Sequence, residues 1–335
     1  MSMTFFDKGQ GKKRIILTAV AVVLIAAILV GVVILNANSK HSSNGDGARY
    51  IEYEGKQYVL KDGIETFLVL GLDKYDGEIG DASYNNDQQA DFLLLIVFDN
   101  YAKTYSSIHI NRDTVAEMNV LGIGGKNVGT TKKQISLSHT YGEGGEISNK
   151  NTADAVSKLL GGVKINYTMS LTLDSVGIMN DLVGGVTVEI LDDFSGVSGA
   201  EGLVKGEMVT LKGDQALLYV RSRKGLEDSS NSARMERQRQ YLSALREKMS
   251  ACAENDANFY TDTVTTMSKY IDYDCGETRL KKLGDKMEEY SFVEIEQIKG
   301  ETRTPITHNT EYVEFHPDEG SVKKIVVEQF YTLKK

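Results

Sequence analysis

Five of the chain's eleven arginines fall within nineteen residues: Arg221, Arg223, Arg234, Arg237 and Arg239. The chain around them has a net charge of −9, so a basic knot needs a local reason. A guanidinium fork matches phosphate oxygens in geometry and charge, and the cluster points to a ligand of dense negative charge. The plainer alternative is an ion-pair network with Glu227, Asp228 or Glu236. Arg221 and Arg223 flank Ser222; in an extended stretch they share a face and can bracket a diphosphate, or form salt bridges at a strand end. On a helix following Asn231, Arg234 and Gln238 lie near the azimuth of Leu245 and Met249, Arg237 borders it, and Arg239 points away. Each cation at a helix N-terminus opposes the helix dipole by about 0.3–1 kcal/mol, a penalty that a bound anion reverses. Two aspartates complete the set. Asp91 opens an apolar strand and Asp113 follows a strand end. Two carboxylates beside a phosphate commonly hold Mg2+; the alternative is turn or capping aspartates.

Other chemistries lack their signatures. Gly122-Ile123-Gly124-Gly125-Lys126 matches neither a phosphate loop nor a dinucleotide fingerprint, and there is no Gly-x-Ser-x-Gly elbow or His-Glu-x-x-His pair. The five histidines show no metal-ligand spacing. An acidic domain is also a poor partner for nucleic acid. Cys252 and Cys275 can pair outside the cell or stay as buried thiols.

The elements that must position these residues alternate. Strands are predicted over 66–71, 91–98, 105–110, 165–171 and 186–191, and helices over 151–160, 174–182, 215–220 and 232–250, the last capped by Asn231 or Ser232. Residues 50–61 read as a small hairpin and 203–211 as a polar hairpin edge, while 259–290 read as mostly helical and 291–335 as strand and turn. The pattern predicts an α/β fold, a three-layer αβα sandwich around a central mixed sheet. Ahead of it, Ile15 to Leu35 is apolar apart from Thr18 and Gly31. As a helix it reaches about 31 Å, enough to cross a bilayer. Lys8, Lys12, Lys13 and Arg14 precede it, which keeps residues 1–14 cytoplasmic and makes 15–36 a transmembrane signal-anchor. A linker with a possible hairpin (37–63) then leads to an extracellular domain (64–335) carrying a charge of about −12.

The ordered motifs resemble the LytR-CpsA-Psr family of cell-wall glycopolymer transferases from Gram-positive bacteria. They are Leu68 to Asp73; Ala90-Asp91-Phe92; Ile110-Asn111-Arg112-Asp113-Thr114; Leu182 to Val186; Leu211 to Leu217 with Tyr219-Val220-Arg221-Ser222-Arg223; and Arg234-Met235-Glu236-Arg237-Gln238. The resemblance implies transfer of a glycan phosphate from a polyprenyl-diphosphate carrier to a peptidoglycan hydroxyl. Catalysis would fall to Asp91, Arg112, Asp113 and Arg223. The diphosphate would be bound by Arg112, Arg221, Arg223, Arg234, Arg237 and Gln238, and Mg2+ by Asp91 and Asp113. Apolar helices around 152–182 could line a groove for the lipid tail or form plain core. Three positions depart from the family pattern: Gln89 for an arginine, Asn111 for a proline and Asn231 for an aspartate. If that aspartate serves as base, Asp228 could replace it. A non-catalytic polyprenyl-diphosphate-binding scaffold and an extracytoplasmic pyrophosphatase are the competing readings.

Overall fold

The computed structural model describes residues 49–73, 88–256, 258–307 and 310–334. The basic tail, the signal-anchor and the linker as far as residue 48 lie outside the described residues, among which no helix is long and apolar enough to cross a membrane. The hairpin read at 50–61 forms from β1 (Tyr50–Tyr53) and β2 (Lys56–Leu60), turning at Glu54 and Gly55.

Alternation then builds the central sheet. In β3 (Ile64–Leu72), Phe67 and Val69 enter one core while Leu68, Leu70 and Leu72 enter another; in β4 (Ala90–Asp99), Leu94, Ile96 and Phe98 oppose Leu93, Leu95 and Val97 in the same way. A strand apolar on both sides must be covered on both faces, and a slip of one residue would exchange its two cores. After β5 (Thr104–Ile110) come the hairpin β6 (Val115–Leu121) and β7 (Asn127–Gln134), then α1 (Gly145–Leu159), β8 (Tyr167–Leu171) and α2 (Asp174–Leu182). Next are β9 (Val186–Glu189), β10 (Met208–Leu211), α3 (Asp214–Arg221), α4 (Asn231–Asn255), α5 (Phe259–Met267), β11 (Ile271–Tyr273), α6 (Glu277–Glu289) and β12 (Ser291–Gln297). The chain closes with β13 (Gly300–Arg303), β14 (Ile306–Thr307), β15 (Thr310–Glu311), β16 (Glu314–Pro317), α7 (Glu319–Phe330) and β17 (Tyr331–Leu333), which adds to β2.

The sheet order is β11-β8-β3-β4-β5-β12, with β3/β8 and β5/β12 parallel and the other pairs antiparallel. It is the mixed sheet of an α/β fold. Helices α2 to α6 bury Met179, Tyr219, Leu245, Met267 and Leu283 on one face. On the other, α1, β6 and α7 bury Val156, Met118 and Phe330.

Two local expectations are corrected, and one left open is decided. Helix α1 begins six residues before the expected 151, because its first turns bury Ser148, Asn149, Asn151 and Thr152 and so lack an apolar stripe. Hydrogen bonds offset much of the cost of burying polar side chains there: Asn151 Nδ2 donates to Ser138 O at 2.7 Å. Helix α7 interrupts the expected strands, capped by Asp318, which accepts from Ser321 N at 2.7 Å. Cys252 and Cys275 are free thiols, with burial pushing the Cys275 thiol up to about 12.

Two buried histidines make stability depend on acid. Burial lowers His109 to about 3, and it lowers His139 to about 4 although Gln88 O lies 2.9 Å from Nδ1 and Asn149 Oδ1 lies 3.1 Å from Nε2. The unfolded chain takes up these protons near pH 6.5, where the folded chain stays neutral. Stability is therefore fully present above pH 6.5 and falls as pH drops towards 4, by up to about 1.4 kcal/mol per pH unit for each histidine. Burial raises the carboxyls of Asp113, Asp272 and Asp274, which act in the opposite sense and flatten the curve at its acid end. Urea midpoints measured from pH 7 to pH 5 should fall; a flat profile would contradict the neutral buried histidines.

Candidate active site

The C-terminal ends of β3 and β5 and the start of β4 meet at one end of the sheet, where open α/β sheets bind ligands. Asp73 follows β3, Asp91 is the second residue of β4, and Arg112 and Asp113 sit in the turn after β5. Gly71 permits this convergence, since a Cβ there would lie 2.9 Å from Phe92 Cβ. From the other side, α4 brings Arg234 and Gln238. Ser230 caps the helix, accepting from Ala233 N at 3.1 Å, in place of the expected Asn231 or Ser232.

Asp91 is clamped between two guanidiniums: Arg112 Nη1 lies 3.0 Å from Oδ1 and Arg234 Nη1 3.1 Å from Oδ2. Arg112 Nη2 donates to Ser136 Oγ at 3.0 Å and to Gln89 Oε1. Gln89 thus orients an arginine where the family pattern would add one. Arg112 Nε lies 3.6 Å from Asp113 Oδ1, which also accepts from Gln134 Nε2 at 3.1 Å. The other oxygen, Asp113 Oδ2, is buried with no hydrogen-bond partner among the described residues. Burial raises the Asp113 carboxyl; Arg112, Arg223 and Arg234 oppose that rise and Asp91 adds to it. Arg234 is only 3% exposed. Burial lowers it to about 10, Asp91 opposes the shift, and Arg223 and Arg112 add to it. Among the described residues, two of its five N–H donors are engaged, by Asp91 and Asn231, and Nε is buried without a partner. Three crowded guanidiniums therefore face two carboxylates, and an added anion would relieve their repulsion.

The structure separates the five clustered arginines. Arg221 ends α3, so the extended Arg-x-Arg does not form; Arg221 Nη2 instead pairs with Asp73 Oδ1 at 2.8 Å. Arg223, beyond the helix, acts electrostatically on both Asp113 and Arg234. Arg237 is not brought to the cluster. It is 0% exposed, with Nε donating to Tyr219 O at 2.8 Å, Nη2 to Ser222 O and Nη1 to Asp192. Its assignment to phosphate is corrected: it ties the end of α3 to α4. Asp228, offered in place of a base at 231, lies in the loop just before α4. Its Oδ1 accepts from Ser230 N at 2.8 Å, and its hydrogen bonds with Ser230 hold the carboxyl below the usual range. Gln134 and Ser136, which support Asp113 and Arg112, carry no motif, and their hairpin has no counterpart among the predicted elements.

A cavity of about 140 Å³ adjoins the cluster. Asp91, Arg221, Arg234 and Gln238 contribute its charged and amide lining, with Thr172 and Ser175 adding hydroxyls, and Val69, Leu94, Met179, Leu217, Tyr241 and Leu245 much of the rest. Arg234, Gln238, Tyr241 and Leu245 succeed one another along α4, so the lining passes from charged to apolar over about 16 Å of helix. Of the helices expected to line a groove, α2 does so and α1 packs on the opposite face of the sheet.

The model of the LytR_cpsA_psr family matches residues 29–330. The polyisoprenyl-teichoic acid–peptidoglycan teichoic acid transferase TagT of Bacillus subtilis is 27% identical over 271 residues, which are 77% of this chain and 76% of that protein. A solved structure of TagT bound to LIIa-WTA superposes with a TM-score of 0.58 at 21% identity, covering 80% of this chain and 90% of that one. Bacillus subtilis TagV gives 0.56 at 22% identity, covering 81% and 98%.

Proposed function

The chain belongs to the LytR-CpsA-Psr family, and on that footing we propose that it transfers a glycopolymer from a polyprenyl-diphosphate carrier to a peptidoglycan hydroxyl. The observation that carries the reading is Arg234: a buried cation with unused donors, placed where a charged cluster meets an apolar cavity. A lipid diphosphate has that same division. Its prenyl units suit the lining around Met179 and Leu245, and its phosphates suit Arg112, Arg223 and Arg234. The apolar run at 15–35, read as a signal-anchor, would keep the domain outside the cell beside a carrier held in the membrane.

Phosphoryl transfer asks a protein mainly for positioning and charge neutralisation. Arg112 is held by Asp91, Gln89 and Ser136, so its remaining N–H groups are aimed in advance. Arg234 is fixed by Asp91 and Asn231. Both can receive charge as the bond to the carrier phosphate breaks. Asp113 Oδ2 and Asp91 suit a magnesium ion, because one buried carboxylate oxygen lacks a partner and substrate phosphates can supply further ligands. When bound, that ion would neutralise the diphosphate and the departing phosphate.

The test is a transfer assay. Detergent-solubilised full chain is mixed with labelled polyprenyl-diphosphate oligosaccharide, magnesium and peptidoglycan fragments. Label should appear on the peptidoglycan and disappear with chelator. Lipid binding without transfer would replace this reading with a scaffold, and release of label into water with a pyrophosphatase.

A further inference from the structure

Two asparagines join the halves of the charged cluster. Asn111 Oδ1 accepts from the Asp113 backbone N–H at 2.9 Å and from Asn231 Nδ2 at 2.7 Å. Asn231 Oδ1 accepts from Arg234 Nη2. Both side chains are buried, at 7% and 5% exposure. The amide orientations are forced at each end, because a backbone N–H and a guanidinium can only donate. Each asparagine must therefore turn an oxygen outward, which leaves the Asn231 nitrogen to meet the Asn111 oxygen. The bonds run from the turn that carries Asp113 to the first turn of α4, which carries Arg234. No other hydrogen bond of the described residues links these two segments so directly.

We infer that Asn111 and Asn231 act as one positioning unit for Asp113 and Arg234, in which the side chain tolerated at one position depends on the other. With proline at 111 there is no side-chain oxygen, and a carboxylate at 231 meets no opposing acceptor. Once 111 presents an amide oxygen, residue 231 must donate to it, and a carboxylate cannot. A neutral amide at 231 also places no negative charge beside Arg234, leaving three guanidiniums against Asp91 and Asp113 and favouring a diphosphate. The diphosphate-binding part of this inference rests on the proposed function; the coupling itself does not.

The test uses the same substitution at both positions. Asn111 uses only its oxygen, so Asn111→Asp keeps both accepted bonds. Asn231 uses oxygen and nitrogen, so Asn231→Asp sets two acceptors against each other. Binding of farnesyl diphosphate with magnesium is measured by calorimetry on the full chain in detergent, together with the thermal midpoint. Asn111→Asp should weaken binding by no more than about threefold, and Asn231→Asp by about tenfold with a lower midpoint. Asn111→Ala/Asn231→Asp should recover much of what Asn231→Asp alone loses, in binding and in midpoint. Equal effects of the two Asn→Asp changes, or additive effects in the double variant, would overturn the coupling. If the unaltered chain binds no diphosphate, the functional reading fails, and the midpoints of the same variants still decide the coupling. If Asn231→Asp alone does not fold, a folded double variant supports the coupling and an unfolded one overturns it.

Discussion

Arg223→Ala should reduce transfer by about two to three orders of magnitude while leaving the thermal midpoint unchanged; Arg237→Ala should do the reverse damage and destabilise the fold. Both belong to one sequence cluster, and their surroundings set them apart. Arg223 forms no salt bridge among the described residues, yet its charge reaches Asp113 and Arg234. Removing it strands no partner, and the loss falls on the anion that the cluster would hold. Arg237 is wholly buried, and its donors serve Tyr219 O, Ser222 O and Asp192. Its guanidinium also sits 5.6 Å from the Phe194 ring centroid. Alanine there leaves a carboxylate and two carbonyls without donors, with a void above the ring. Breaking a buried ion pair from one side costs about 3–5 kcal/mol. Urea unfolding and transfer rates on the two variants check both halves. Equal midpoints, or full activity in Arg223→Ala, would refute the division.

That division marks what could be read from the residues alone. The strands around Phe67 and Leu94 were legible because an apolar run bounded by turn residues has few other uses. Asp91 and Asp113 stood out only as carboxylates at strand boundaries, where turn and capping roles compete, and Arg112 came from the family resemblance alone. The azimuth of Arg234 and Gln238 on α4 followed from helical period, and both are buried. The same period placed Arg237 at the border of that face and could not reveal that Asp192, 45 positions away, would meet it. Whether Arg221 shares a face with Arg223 depended on where α3 ends, and the helix runs through Arg221. The β6–β7 hairpin lacked any signal: Asn127 to Gln134 is mostly exposed and polar. Its role comes from Gln134 and Ser136 at its base, and such support is visible only once distant segments meet.

Asp113→Asn should retain diphosphate binding and lose magnesium-dependent transfer by about two to three orders of magnitude. The substitution is nearly isosteric, and the bonds around Asp113 dictate how the new amide lies. Gln134 Nε2 donates to Oδ1 at 3.1 Å and also holds Val313 O at 2.6 Å. The amide oxygen must therefore stay at the Oδ1 position, and the amide nitrogen takes the place of Oδ2, the one oxygen without a partner. A site for a cation becomes a donor, and one negative charge leaves the company of Arg112, Arg223 and Arg234. A diphosphate alone should bind at least as well as before, while magnesium should no longer strengthen its binding. The same oxygen predicts the pH behaviour. Burial raises the Asp113 carboxyl above the usual aspartate range, so acid protonates it early. Transfer by the unaltered chain should fall as pH drops through that raised value, and the residual activity of Asp113→Asn should show no such limb. Calorimetry with and without magnesium separates this from a general loss of the site: if diphosphate binding falls with transfer, Asp113 supports the loop and holds no metal.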